Sequence, residues 1–152
     1  MSKKNTNQKE VDWDLVDKKI LEKLIKELET NLGLGYDDYK KIVNDSLIEL
    51  YGCGLNENED VDYNSYPINT TMTFYDYFSE KICDGEVDDY DDEDGWRIRK
   101  VYLDIDDNFA VCIEGETSVW DYEFFDEENE DDVKIYKVKK IPVHTFRYER
   151  VY

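Results

Sequence analysis

The chain is nearly empty of the residue types that most often carry chemistry. Its 152 residues include one histidine, His144, and three cysteines, Cys53, Cys83 and Cys112. The cysteines are odd in number and widely spaced, with no CxxC pair and no Cys/His cluster to hold zinc. They are expected to be reduced, mostly buried small hydrophobes of a cytosolic protein. No motif ties His144 to a serine or a cysteine, so it reads as a structural histidine rather than a catalytic base. No apolar run approaches the ~20 residues that a membrane-spanning helix needs. The lysines near Met1 have no hydrophobic segment behind them, which argues against a secretion signal. The expectation is a cytoplasmic protein.

Positive charge is the second shortage, and it is local. Between Gly52 and Asp132 only four basic side chains accompany 27 carboxylates, a net of −23, whereas the whole chain is at −20. The remainder is therefore slightly positive, and the stretch Val133–Tyr152 is the most basic part of it. Segregation on this scale opposes compaction and says little about fold, but it does bear on the partner. A dense anionic surface attracts proteins with basic grooves, and most such grooves hold nucleic acid.

High charge with few apolar residues would mean disorder. Here 40% of residues are hydrophobic and 14% aromatic, including 13 Tyr, six Phe and three Trp. Aromatic side chains supply much of the area a core buries, so the chain is expected to fold, and at this length as one domain. The expected layout is a flexible leader over residues 1–10 and a single α+β domain over 11–152. Its helical part is 11–85, followed by an acidic linker at 86–95 and a sheet part at 96–152.

Trp13, Val16, Ile20, Leu24 and Leu28 follow helical spacing and predict a first helix from near Asp12 or Asp14 to about Asn31, with Gly33 and Gly35 beyond it. Asp37 or Asp38 is the expected cap of a second helix, in which Tyr39, Ile42, Val43, Leu47 and Leu50 share a face and which Gly52 stops. The short link makes the pair an antiparallel hairpin. Leu55–Thr71 reads as an acidic and aromatic loop. Thr73 and Asp76 form a capping-box pattern ahead of a short third helix over Phe74–Cys83. From Trp96 the apolar period becomes two, as expected of a four- to five-stranded antiparallel sheet. Asp106-Asp107-Asn108 marks a hairpin turn. Trp120, Tyr122 and Phe124 alternate with acidic residues. Asp126–Asp132 reads as an acidic loop, and Ile135–Val143 and Thr145–Val151 as final strands interrupted by Pro142.

No cofactor and no metal site is expected. The acidic run around Gly95 fails the EF-hand pattern. With Gly95 at position 6, Tyr90 falls at position 1 and Val101 at position 12, where ligating carboxylates are required. Asp104, Asp106 and Asp107 lack a phosphate loop or a partnering base, and aspartates at a hairpin are ordinary turn chemistry. A small metal-dependent enzyme is thereby disfavoured, and the chain is not expected to be an enzyme. Lys134, Lys137, Lys139, Lys140, Arg147 and Arg150 are expected to pair with acidic neighbours on the sheet, or to mark one end of the molecule as a separate contact surface. Since the net charge is strongly negative, no direct binding of nucleic acid is expected.

The carboxylates far exceed what solubility requires, and aromatic residues are threaded among them. The expected partner-binding surface comprises the two densest blocks. One is Glu86, Asp88, Asp89, Tyr90, Asp91, Asp92, Glu93 and Asp94, with Tyr90 as an aromatic anchor. The other is Asp126, Glu127, Glu128, Glu130, Asp131 and Asp132.

The segments EVDDYDDEDGW (Glu86–Trp96) and VWDYEFFDEENEDD (Val119–Asp132) resemble, in composition and charge layout, the acidic inhibitors encoded by phages and mobile elements. These include nucleic-acid-mimicking antirestriction and anti-CRISPR proteins. The resemblance carries no diagnostic motif and, because such inhibitors share no common fold, predicts none. It implies a stoichiometric inhibitor that fills the basic nucleic-acid-binding channel of a nuclease in a bacterial host cell, with an RNA-guided nuclease as the best expectation. An immunity protein or antitoxin against a basic nuclease toxin is the alternative, and genome neighbourhood separates the two.

Overall fold

The computed structural model describes residues 10–55, 72–91, 95–118, 124–125, 127–143 and 147–151, with the backbone alone for 88–91, 124, 127 and 128. Three helices come first and pack on one face of an antiparallel sheet, giving an α+β fold. Helix α1 runs from Trp13 to Leu28 and starts where the Asp12 carboxylate accepts the Leu15 N–H at 3.3 Å. Val16, Ile20 and Leu24, four residues apart, are its buried positions. The helix stops one turn before the expected Asn31, because Thr30 and Asn31 bond back to the Glu27 carbonyl and close the last turn.

Helix α2 spans Tyr36–Tyr51. Its N-cap is Gly35 rather than Asp37 or Asp38; Asp38 instead reaches back from the first turn to accept the Gly35 N–H at 2.9 Å. Gly52 ends the helix in the left-handed conformation, φ 90°, donating to the Ile48 carbonyl at 2.9 Å. Helix α3, Phe74–Cys83, forms as the sequence predicts: Thr73 Oγ1 accepts the Asp76 N–H and Asp76 accepts the Thr73 N–H.

The strands are β1 (Glu86–Asp91), β2 (Trp96–Asp104), β3 (Phe109–Ser118), β4 (Phe124–Phe125) and β5 (Lys134–Lys139). They form one five-stranded sheet in the order β1-β2-β3, after which β4 and β5 share the far edge of β3. The β2–β3 turn is held by Asp106, whose carboxylate accepts from Asn108 N at 2.7 Å and Phe109 N at 2.8 Å. These two bonds hold its carboxyl below the ordinary aspartate value.

Four expectations need correction. The acidic linker 86–95 is in part a strand, since Glu86–Asp91 pairs with β2. The acidic loop before β5 is a 3-10 helix over Glu127–Asp132. The strand expected over Ile135–Val143 ends at Lys139, just ahead of Pro142, which has no N–H for a ladder. Residues 147–151 form no strand and are exposed. The leader over 1–9, most of the Leu55–Thr71 loop, the Trp120–Tyr122 alternation and His144 lie outside the described residues.

The core lies between helices and sheet and is aromatic at its centre. Phe78 meets Phe125 edge-on at 4.8 Å, and Tyr36 stacks on Phe125 at 5.8 Å. Such geometry adds to the gain from simple burial. The Tyr75 hydroxyl donates to the Phe125 carbonyl, and the buried Tyr39 and Tyr77 hydroxyls lie 3.3 Å apart. Burial pushes both phenols above the ordinary tyrosine value. The α1–α2 link is fastened to the sheet by Leu34 and Ile135, which exchange two backbone hydrogen bonds of 2.8 Å. Cys112 is buried, Cys53 and Cys83 are half-buried, and all three are free thiols. No helix among the described residues is long and apolar enough to cross a membrane.

Candidate partner-binding surface

β1 supplies the first acidic block. Its register runs Glu86 opposite Lys100, Asp89 opposite Ile98 and Asp91 opposite Trp96. The register shifts between Val87 and Asp89, so Asp88 sits at a bulge. Strict alternation would have put Glu86 and Asp89 in opposite rows. The shift instead sets Glu86, Asp89 and Asp91 opposite alternate positions of β2. Gly95 closes the β1–β2 connection with φ 70°, a conformation that favours glycine. Glu86 is exposed, whereas Asp92, Glu93 and Asp94 lie outside the described residues. For Asp88, Asp89, Tyr90 and Asp91 the structure fixes the strand backbone only.

The second block lies across the sheet. Asp126 is outside the described residues, and Glu127 and Glu128 are described by backbone alone. Asp131 and Asp132 are exposed, and Glu130 is half-buried with its carbonyl accepting the Val133 N–H. Val133 itself enters the core and anchors the 3-10 helix beside β3.

Register brings the two blocks to the same end of the sheet. Lys100–Trp96 of β2 pairs on one side with Glu86–Asp91 and on the other with Glu114–Ser118 of β3. That length of β3 lies between the β4 contact at Thr117–Ser118 and the start of β5 at Glu114. The acidic 3-10 helix is the link between those two strands. The blocks thus flank one stretch of β2 and β3 from opposite edges.

Between them lie Glu114 and Glu116 of β3 beside Arg97, Arg99 and Lys100 of β2. Burial, then the Asp132 and Glu114 carboxylates, raise the Glu116 carboxyl above its ordinary value. Glu114 accepts the Tyr136 hydroxyl at 2.8 Å and faces the Lys100 ammonium at 3.7 Å. Burial and hydrogen bonding to Cys112 and Glu114 push the Tyr136 phenol above its ordinary value.

All four cations of the acidic segment are engaged. Arg99 is 7% exposed and donates to the Cys83 and Gly85 carbonyls at 3.0 Å and to Thr117 Oγ1 at 3.1 Å. It therefore caps the C-terminal end of α3, where a cation also suits the helix dipole. Lys81 pairs with Asp17 at 3.5 Å, Lys100 pairs with Glu114, and Arg97 is half-buried and engaged as well. Nothing in the local sequence singles out Arg99. Its burial comes from the meeting of α3 with β2 and β3.

The opposite end of the sheet carries both signs, Asp104, Asp106 and Asp107 beside Lys137, Lys139 and Lys140. Lys140 pairs with Asp104 at 3.4 Å, and Lys137 lies 4.3 Å above the Phe109 ring. Among the described residues Lys134, Lys139, Arg147 and Arg150 make no ion pair, contrary to the expectation that they neutralise the sheet. The chain has left the sheet before it reaches the two arginines. No group of three or more His, Cys, Asp or Glu among the described residues is arranged to hold a metal. Compared with known proteins, the chain matches no family model, no curated protein and no solved structure.

Proposed function

We propose that the protein is a stoichiometric inhibitor that occupies the basic nucleic-acid-binding channel of a bacterial nuclease, acting in the cytoplasm as an anti-CRISPR protein against an RNA-guided enzyme. The observation that carries this reading is the imbalance over Gly52–Asp132, 27 carboxylates against four cations, of which Arg99 is buried against the end of α3 and Lys81 is paired with Asp17 of α1. A merely solubilising surface needs no such imbalance.

Spacing supports it. Alternate strand residues stand ~6.5 Å apart, close to two ~3.4 Å phosphate rises of B-DNA. β1 and the β4–β5 edge are three strand spacings apart, about 14 Å, comparable to the ~12 Å width of a major groove. A channel shaped for two phosphate rows would meet two rows of carboxylates. The protein acts by binding, without turnover, and leaves free nucleic acid alone.

The test is affinity capture from bacterial lysate at ~50 mM salt with elution by a salt gradient, since contacts between exposed charges weaken as the screening length shortens. The expected eluate is one nucleic-acid-processing enzyme, inhibited at one equivalent. A partner without a basic channel, or one that salt does not release, would refute the reading.

A further inference from the structure

Where the start of α1 passes α3, the surface opens into a cleft of about 230 Å³. Its wall is aromatic: Trp13 stacks on Tyr77 with ring centroids 5.5 Å apart and planes 25° from parallel. Its rim is anionic, with Asp17 from α1 and Glu80 and Asp84 from α3. One cation stands there, Lys81, whose ammonium lies 5.5 Å from the Tyr77 centroid and 3.5 Å from the Asp17 carboxylate. The cleft thus already holds a positive charge against a ring face. Lys81 answers Asp17, while among the described residues Glu80 and Asp84 enter no ion pair. Both are exposed, and their position works against the helix in two ways. They stand four residues apart as like charges, and they sit at the C-terminal end of α3, where the dipole disfavours anions. Two carboxylates in that place oppose folding rather than serve it.

We propose that this cleft receives the guanidinium of an arginine side chain presented by a partner protein. Charge complementarity selects a cation, since the rim carries Asp17, Glu80 and Asp84 against Lys81 alone. The aromatic wall selects a flat one. A guanidinium is planar, weakly hydrated and stacks on ring faces, and its fork of N–H donors can meet two carboxylates at once. An ammonium is a strongly hydrated point charge, and Lys81 already fills that role. The rings also give the apolar stem of the side chain a surface to lie on. Arginine is among the residues in which interface energy concentrates, so the cleft acts as an anchor. A side chain within a peptide brings no carboxylate of its own, whereas free arginine sets its carboxylate against Glu80 and Asp84. That difference favours a protein as the source. The contact does not depend on the inhibitor reading.

The test follows the indole N–H of Trp13 by NMR while the full chain is titrated with N-acetyl-arginine amide, with sodium chloride of equal ionic strength as the reference. The Trp13→Phe variant assigns that signal among the three tryptophans. The expected result is a saturating shift with a low-millimolar midpoint that salt does not reproduce. The variant Glu80→Gln/Asp84→Asn should weaken binding at least about tenfold, as loss of charged hydrogen-bond acceptors does. N-acetyl-lysine amide and free L-arginine should each bind at least about threefold more weakly than the arginine amide. Asp131→Asn/Asp132→Asn removes the same charge elsewhere and should leave the midpoint unchanged. A Trp13 signal that does not saturate overturns the proposal. So does equal weakening by the Asp131/Asp132 variant, which would mean general attraction to an acidic chain. Equal binding of the lysine amide overturns the choice of guanidinium, and equal binding of free arginine overturns the protein source. Should the double variant fail to fold by circular dichroism, Glu80→Gln alone decides by the same comparison.

Discussion

On the α1–α2 hairpin, Lys19 and Lys23 both reach Glu49, at 3.6 and 3.0 Å, and charges of the two signs alternate over an exposed face. At the acid-rich end of the sheet Arg99 is instead buried against α3, Lys81 pairs with Asp17 of α1 and Lys100 with Glu114. The hairpin's ion pairs are the ordinary dressing of a surface helix and contribute little individually. On the sheet, burial first and then the Asp132 and Glu114 carboxylates raise the Glu116 carboxyl, so its charged form costs stability. Carboxylates that solubility alone required would be interspersed with lysine, as on the hairpin. Under the proposed function the sheet is the surface that acts and the helices are the body that supports it.

The sharpest way to break this comparison is to remove the cation that belongs to the fold. Arg99→Ala leaves the Cys83 and Gly85 carbonyls and Thr117 without their buried donor. The expected loss is about 2–4 kcal/mol in urea unfolding, typical when a buried, hydrogen-bonded cation is taken away. A loss no larger than that of an exposed lysine would mean that Arg99 is not structural.

Next in size is neutralisation of the β1 block. Asp88, Asp89, Asp91 and Asp92 changed together to Asn should keep or slightly raise the melting temperature and slow association with the captured enzyme by about tenfold or more. Full potency in a folded variant would move the acting surface off β1.

Smaller again is Glu116→Gln. The folded chain holds the Glu116 proton more tightly than the unfolded chain does. Stability therefore falls as pH rises from the ordinary glutamate range through the raised value. The variant should be more stable than the parent at pH 7, with the difference closing below about pH 4. The reverse order at pH 7 would show that Lys134 outweighs the surrounding carboxylates at this site.

The smallest effect belongs to the hairpin. Lys23, ahead of the other contributors, lowers the exposed Glu49 carboxyl. Glu49→Gln should reduce stability slightly above the ordinary glutamate value, with the effect lost as pH falls through the depressed one. In ~0.5 M salt it should disappear. A large effect here would erase the contrast between the two regions.

What the sequence made legible was local. The Thr73/Asp76 cap, the Gly52 stop and the Asp106 turn each depend on groups within four residues of one another, and each forms as read. β1 was hidden because its signal is distributed. Aspartate is a poor strand former, and Glu86–Asp91 becomes a strand only because β2 offers it an edge. The Asp94-Gly95 dipeptide, a common hairpin signal, was the clue. The last expected strand failed for the converse reason: residues 147–151, favourable as they are, have no ladder partner within the described fold. The acidic blocks could be named from composition, but their meeting at one end of the sheet is a matter of register, and the Val87–Asp89 shift is not written in any local pattern.

The Leu34–Ile135 bridge joins residues about a hundred positions apart, and closing so long a loop carries an entropic cost that local contacts do not. On the ribosome the helical hairpin is complete long before β5 emerges, so its sheet-facing side waits for the last strand to arrive. Amide exchange at Leu34 and Ile135 should accordingly track opening of the whole fold.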